Sequence, residues 1–375
     1  MEPFRVLHIN AGSVNFGGVS ALCLNIYRNI DRERIQFDFL TPNKTTYGDY
    51  REEIESMGGQ IYDFGINANT LSGKMKLRRR LEQFFQEHHY DVIHVNSGIL
   101  LFNCVAAGAA KKYSNSKVFV HSHSNGGRNR IKELFSFVLK RYLVNRADEL
   151  LACSVSAAGY MFPASKLSET IIINNGINAE LFDWKPDVRA RIREKYGLDD
   201  KYVIGHIGRF SPKKNQKFLI DLFKKIKEKK ENAFLLLIGQ GELLEDAKKQ
   251  AENAGLSDSV LFPGQVKDTE DFYQAMDVFV LPSVFEGFGI VNLEAQTSGL
   301  KCVVSQVVPD AANVTGLMTK LSLTDPPDTW IKEILTVPAA RESRLEDIVS
   351  AGYDIKTSVR VLEQTYLKYQ TDKDE

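Results

Sequence analysis

Long apolar runs are missing from this sequence. None approaches the roughly 18 uninterrupted apolar residues that a membrane-spanning helix requires, so no segment is expected to cross a bilayer. Excess charge of one sign is missing too. Lys+Arg and Asp+Glu both number 48, which denies the chain the overall basic field of a nucleic-acid binder and leaves only local runs to consider. Cysteine is scarce: Cys23, Cys104, Cys153 and Cys302 lie far apart, most of them in apolar segments, and no two have the spacing of metal ligands. They read as buried thiols of a reducing compartment, not as a disulfide framework. The opening stretch, Met1-Glu-Pro-Phe-Arg-Val-Leu-His-Ile-Asn10, runs directly into a strand and lacks the apolar core of a signal peptide. A cytoplasmic protein is expected, soluble or peripheral to a membrane.

What is present is a regular alternation. Strand-like runs at Phe4–Ile9, Gln36–Leu40, Gln60–Phe64, Val92–Val95, Val118–Val120, Leu150–Cys153 and Ile171–Ile173 are separated mostly by helical stretches, including Thr70–His88, Leu101–Lys112 and Arg130–Asn145. A second series follows at Val203–Ile207, Phe234–Ile238, Val260–Phe262, Val278–Leu281 and Cys302–Val304. Strand–helix alternation makes mostly parallel sheets covered on both faces, and 375 residues favour two such domains over one. Phe182–Val188, punctuated by Pro186, reads as the linker. The expected domains are therefore 1–182 and 183–354. Ile355–Tyr369 carries the apolar spacing of an amphipathic helix. In folds of this kind ligands sit beyond the carboxyl ends of strands, so function is sought in the loops there.

The most informative loop lies within Leu281–Leu300, Leu-Pro-Ser-Val-Phe-Glu-Gly-Phe-Gly-Ile-Val-Asn-Leu-Glu-Ala-Gln-Thr-Ser-Gly-Leu. A buried strand ends at Pro282-Ser283, a glycine-rich turn carries Glu286, Gly287 and Gly289, and a helix begins near Ile290 with Glu294 in its first turns. Free N–H groups and the positive end of the helix dipole at such a junction suit a phosphate. Carboxylates beside phosphate repel it, so Glu286 and Glu294 are better matched to sugar hydroxyls on either side. A diphosphate over Gly287, Phe288, Gly289, Ile290 and Val291, with hydroxyl-rich rings at both ends, describes a nucleotide-sugar.

Glu286, seven intervening residues and Glu294, set in Pro-Ser-x-x-Glu-Gly-Phe-Gly…Glu-Ala…Ser-Gly-Leu, closely resembles the signature of the retaining GT-B glycosyltransferases of the bacterial group 1 family, which are like glycosyltransferase family 4. The likeness is closest to the branch of capsular and exopolysaccharide assembly. It covers most of the chain, from about Val6 to about Val308. It implies an α/β protein with two Rossmann-like doubly wound domains facing across a cleft, with the helix after residue 354 crossing back to the first domain. It also implies a nucleotide-diphosphate sugar donor, UDP ahead of GDP, and transfer of a hexose or N-acetylhexosamine. The acceptor would be a glycan or lipid-linked saccharide, and no metal or other cofactor would be needed.

The resemblance assigns roles to individual residues. Gly208-Arg-Phe-Ser-Pro-Lys-Lys-Asn215 matches the family's Gly-Arg…Lys-Gly, with Asn215 in place of the second glycine, a departure expected to alter the turn and not the cation. Arg209 and Lys214 would converge on the leaving diphosphate and stabilise its charge. Glu286 would hold the donor sugar, Glu294 the ribose, and the backbone around Val266 the base. Gly17-Gly18, heading the first helix, would lie against phosphate or acceptor. His123, in His121-Ser-His-Ser-Asn-Gly-Gly127, would orient the sugar near the anomeric carbon, with His121 as the alternative. A metal role for this pair lacks a nearby Cys, Asp or Glu to complete it. Family members often carry histidine where Asn96 stands, so a polar role there is expected to be altered or absent. His8, His88, His89 and His206 read as structural or surface residues. The basic run Lys74–Arg80 and the basic-apolar stretch Lys132–Arg146 suit either a solvated helix face or anionic lipid.

Two other functions fit parts of the pattern. One is a different GT-B chemistry, such as a nucleotide-sugar epimerase or a phosphorylase. The other is a non-catalytic nucleotide-sugar-binding partner of a transferase. The second is expected to have lost the cationic pair or one glutamate, and all four residues are present.

Overall fold

Apolar residues cluster in runs of four to seven that end in glycine, proline or polar loops, and each run forms a strand with its neighbours in parallel register. The computed structural model describes residues 3–10, 18–43, 50–123, 130–336 and 340–370, with side chains 130–135 outside that description. In chain order the first elements are β1 (Phe4–Asn10), α1 (Gly18–Asn29), β2 (Ile35–Thr41), α2 (Arg51–Ser56), β3 (Ile61–Asp63), α3 (Leu71–Glu87), β4 (Val92–Ser97), α4 (Leu100–Tyr113), β5 (Lys117–Ser122), α5 (Arg130–Val144), β6 (Glu149–Ala152), α6 (Val155–Met161) and β7 (Ile171–Ile172). There follow α7 (Ala179–Phe182), α8 (Pro186–Tyr196), β8 (Tyr202–Ile207), α9 (Gln216–Lys229), β9 (Ala233–Ile238), α10 (Leu244–Asn253), β10 (Val260–Gly264), α11 (Thr269–Ala275) and β11 (Val278–Leu281). The remainder are α12 (Ile290–Thr297), β12 (Lys301–Ser305), β13 (Met318–Leu321), α13 (Pro327–Leu335), α14 (Leu345–Ser350) and α15 (Ile355–Leu367).

Two sheets result, ordered β3-β2-β1-β4-β5-β6-β7 and β10-β9-β8-β11-β12-β13. Both have the doubly wound order in which the chain starts in the middle and reverses direction, at β1/β4 and at β8/β11. These switch points splay the loops after the two central strands apart and open a crevice between them. The loops after β8 and β11 carry Arg209, Lys214 and Glu286, so the topology itself brings them side by side.

The chain forms two units. One contains residues up to Gly176 together with those from Ile355 onward, and the other is Ile177–Asp354. The boundary thus falls six residues earlier than the expected 182/183. Ala179 and Phe182 are buried in the second unit's core, and the backbone of Ile177 pairs with Tyr353 and Asp354. Pro186 does not mark a linker. It opens α8, because its fixed φ and missing N–H suit the first helical position.

In the first unit Leu7, Ile9, Ile93, Val95, Val118 and Val120 face α3, α4 and α5, while Val6, Phe37, Phe39, Val92 and Phe119 face α1 and α15. Helix α15 places Ile355, Val359, Leu362 and Tyr366 in that second layer, all buried. At about 1.5–3 kcal/mol for each fully buried apolar side chain, this face accounts for on the order of 10 kcal/mol of gross burial. Among the described residues no helix is long and apolar enough to cross a membrane.

Candidate active site

The loop after β8 is shaped by its last residue. Asn215 adopts the left-handed conformation, φ 58° and ψ 41°, and caps α9. Among the described residues it is the lone non-glycine with positive φ. Asparagine tolerates this region better than other side chains, so it preserves the turn that a glycine would make. Its amide also donates to the carbonyl of Pro282 at 3.1 Å, and the N–H of Val284 donates to the carbonyl of Lys213 at 2.8 Å. The loops after β8 and β11 are therefore stitched together.

Across that seam Lys214 Nζ lies 2.5 Å from Glu286 Oε1, and the Ser283 hydroxyl donates to the same oxygen at 2.8 Å. Both partners are largely shielded, with side-chain exposures of 21% and 9%, so the charge pair acts in a medium less screening than water. Arg209 stands apart from this pair. Its guanidinium lies 3.2 Å from a Glu242 carboxylate oxygen, and both side chains are about half exposed. Each cation is thus held by its own carboxylate, and the two do not meet at a common anion.

The backbone of Arg209 is fixed from below. Gln216 donates to the Arg209 carbonyl at 3.0 Å and lies 3.2 Å from His206 Nε2, while His206 Nδ1 lies 2.9 Å from the Val280 carbonyl. The carbonyl requires a proton on Nδ1, which leaves Nε2 as the acceptor for Gln216 and makes the imidazole neutral. Burial pushes its pKa down to about 4, consistent with that form. Gly239, at φ +137°, closes the other flank: a Cβ there would collide with the Gly208 carbonyl.

Helix α12 is capped by Gly289, φ 82°, whose carbonyl accepts from the Asn292 N–H at 2.8 Å, so the N–H groups of Ile290 and Val291 are the ones that precede any intrahelical acceptor. Gly287 is exposed, Gly289 is buried, and Phe288, Ile290, Val291 and Val266 are half-buried at the edge of one core. Glu294 lies one turn into the helix. The Tyr273 hydroxyl is 2.7 Å from its Oε2, and burial pushes this carboxyl up to about 7.

In the first unit Gly18 opens α1 and is exposed, with nothing within 4 Å of where a Cβ would project. Gly17 lies outside the described residues. His121 is buried on β5, and His123 is half-buried just beyond it, their ring centroids 4.0 Å apart. They end a row of four imidazoles across the sheet: His8 stacks on His94 at 4.9 Å and His94 on His121 at 5.4 Å. Asn96 lies within this row and keeps a polar role, so of the two expected outcomes, altered or absent, the second does not hold. Its amide nitrogen is 3.0 Å from His8 Nδ1, and its oxygen is 3.2 Å from His123 Nε2. His94 Nδ1 lies 2.5 Å from the hydroxyl of Tyr366 on α15. Burial pushes His8 and His123 down to about 3 and holds His94 and His121 well below the usual histidine range, so the row is neutral near pH 7.

The sequence does not single out Tyr273, Glu242 or Tyr366 for the site. Each meets its partner from a distant part of the chain, 21, 33 and 272 residues away, and no local spacing signals that.

Two Rossmann-like units, with a charged loop pair at the β8/β11 switch point and two carboxylates bracketing a helix N-terminus, define the GT-B class. Family profiles agree: residues 16–181 match "Glycosyltransferase Family 4" and residues 188–336 match "Glycosyl transferases group 1". The chain is also 32% identical to EpsF of Bacillus subtilis, a protein provisionally named a glycosyltransferase, over 99% of this chain and 98% of that one. It belongs to this glycosyltransferase family. Similar solved structures include Anabaena HepE in complex with UDP, at TM-score 0.70 and 20% identity over 96% of this chain and 99% of that one. Sucrose-phosphate synthase from Thermosynechococcus elongatus superposes at TM-score 0.74 with 21% identity, over 98% and 100% of the two chains.

Proposed function

We propose that the chain is a retaining, metal-independent glycosyltransferase that moves a hexose or N-acetylhexosamine from a UDP-sugar to a glycan or lipid-linked saccharide in cell-surface polysaccharide synthesis. The observation that carries this reading is the Lys214–Glu286 pair at the switch point. One residue offers a fixed cation to a diphosphate, and its neighbour offers an acceptor to sugar hydroxyls. Donor binding would exchange the Lys214–Glu286 contact for Lys214–phosphate and Glu286–hydroxyl contacts. Arg209 would leave Glu242 to join Lys214, and the N-terminus of α12 after Gly287 would add its dipole.

In this reading the anomeric C–O bond to the diphosphate breaks as the acceptor hydroxyl bonds to the same carbon from the same face. The departing phosphate oxygen takes the acceptor's proton. Charge develops on the diphosphate, and Lys214 and Arg209 stabilise it with no metal or other cofactor. His123, with His121 behind it, orients the sugar, Val266 borders the base and Glu294 takes the ribose. UDP is favoured over GDP by the UDP-bound HepE fold relative. A role in polysaccharide assembly accords with the EpsF likeness. Contact with an anionic membrane surface, where lipid-linked acceptors lie, is supported by exposed Leu71 and Met75 beside the basic residues Lys76, Arg78, Arg79 and Arg80 on α3.

The test is a donor-hydrolysis and transfer screen in EDTA over UDP-, GDP- and ADP-sugars, with free nucleotide diphosphate as readout. Lys214→Ala and Glu286→Gln should each lower kcat by about 10²–10³-fold on the donor that is used. Activity that vanishes in EDTA, or survives both substitutions, would refute the mechanism.

A further inference from the structure

The Tyr273 hydroxyl sits between two acceptors, 2.7 Å from Glu294 Oε2 and 3.1 Å from the Val291 carbonyl oxygen. A phenol carries one proton, so beside an ionised Glu294 it can serve only one of them. If Glu294 is protonated, its O–H donates to the phenol oxygen and the phenol donates to Val291. Two proton arrangements therefore fit one set of heavy-atom positions. They differ in what Glu294 offers a ligand, because an ionised carboxylate accepts a hydroxyl's hydrogen bond about twice as strongly as a neutral carboxyl.

We propose that Tyr273 is a positioning residue that holds Glu294 as an ionised acceptor, so that capture of the donor's ribose is coupled to loss of one proton from this pair. The inference rests on the reading above that Glu294 takes the ribose. The pair is well placed to titrate near neutrality. Burial raises the Glu294 carboxyl to about 7, the Tyr273 hydrogen bond opposes that rise, the Glu270 carboxylate adds to it, and Lys214 opposes it. Tyr273 itself is buried and stays protonated.

Among the other groups around the pair, burial raises the Glu270 carboxyl as well, and the Glu294→Gln variant separates its titration from that of the pair. Glu270 and Tyr273 come from α11, Lys214 from the loop after β8, and the Cys302 thiol on β12 is kept neutral by burial. Glu180 on α7 is exposed, and Asp310 pairs with Lys320 at 2.6 Å. Arg341 anchors the backbone of Tyr273, donating to its carbonyl at 2.9 Å and to those of Gln274 and Met276 at 3.0 and 3.1 Å, and the buried ring packs against Phe182 and Phe279.

The experiment is calorimetric titration of the full chain with UDP-glucose, UDP-galactose, UDP-N-acetylglucosamine and GDP-mannose between pH 5.5 and 8.5. Two buffers of different ionisation enthalpy give the number of protons released. Such diphosphate diesters do not titrate in this range, so the pH response belongs to the protein. For the donor that binds, affinity should fall roughly five- to tenfold from pH 8 to pH 6, with about half a proton released at pH 7.

Tyr273→Phe should shift the midpoint to higher pH, because the ionised carboxylate loses its donor. Glu294→Gln should bind weakly with a flat profile. Circular dichroism across the same range confirms that the variants are folded. A flat wild-type profile without proton release overturns the coupling and leaves the donor reading standing. An unshifted midpoint in Tyr273→Phe overturns the positioning role. No binding of any of the four by wild-type protein at any pH overturns the donor reading, and the coupling with it.

Discussion

At the scale of single residues, Asn215 shows how a departure from a family pattern can keep its geometry. The left-handed backbone that a glycine would adopt is retained, and the amide adds a bond to the Pro282 carbonyl at 3.1 Å. Asn215→Gly should leave stability within about 0.5 kcal/mol, since backbone relief offsets the lost hydrogen bond. Asn215→Ala loses the bond and also places a Cβ in a disfavoured region, so it should cost about 1–2 kcal/mol. Denaturant titration of the two variants checks the ranking; equal losses would mean that the backbone conformation does not matter. The expectation that Asn215 alters the turn is therefore corrected, because its backbone takes the left-handed conformation itself, and the tether is invisible in the sequence because its acceptor lies on a loop 67 residues away.

Elements tell the same story from the side of packing. The strand Val278–Leu281 is as the sequence suggested, since four consecutive apolar residues buried on both faces leave little ambiguity. Helix α3 was nearly as clear, with Thr70 accepting from the Gly73 N–H as its cap. Strand β13, Met-Thr-Lys-Leu, was missed because it lies at the sheet edge, where polar residues are tolerated and the apolar run disappears. Helix α8 was missed because proline begins helices as readily as it ends them. The end of β9 shows why glycine spacing alone is weak evidence. Gly239 is needed because the backbone after β8 passes where its side chain would be. Gly239→Ala should therefore cost about 1–3 kcal/mol and lower turnover by displacing Arg209. An alanine variant with wild-type melting and kcat would show that this close approach is unnecessary.

For the whole molecule, buried neutral histidines in both units make folding depend on pH. The folded pKa values of His8 and His206, about 3 and about 4, lie below the ordinary value near 6.5. The unfolded chain therefore binds protons first as pH falls. Stability is fully present above about pH 6.5 and is lost progressively below it, by about 2 kcal/mol for each such histidine at pH 5. Equal denaturation midpoints at pH 8 and pH 5 would contradict this. The division into two units also sets an order in time. The layer of the first unit that holds Phe37, Phe119 and His94 is closed by Ile355, Val359, Leu362 and Tyr366, and all of Ile177–Asp354 is synthesised before these emerge. At about 5–20 residues per second, an apolar strip stays bare on the nascent chain for roughly ten to forty seconds. During that interval the later-made unit can finish folding before the earlier one, and the ribosome holds a half-roofed sheet that a chaperone has reason to cover.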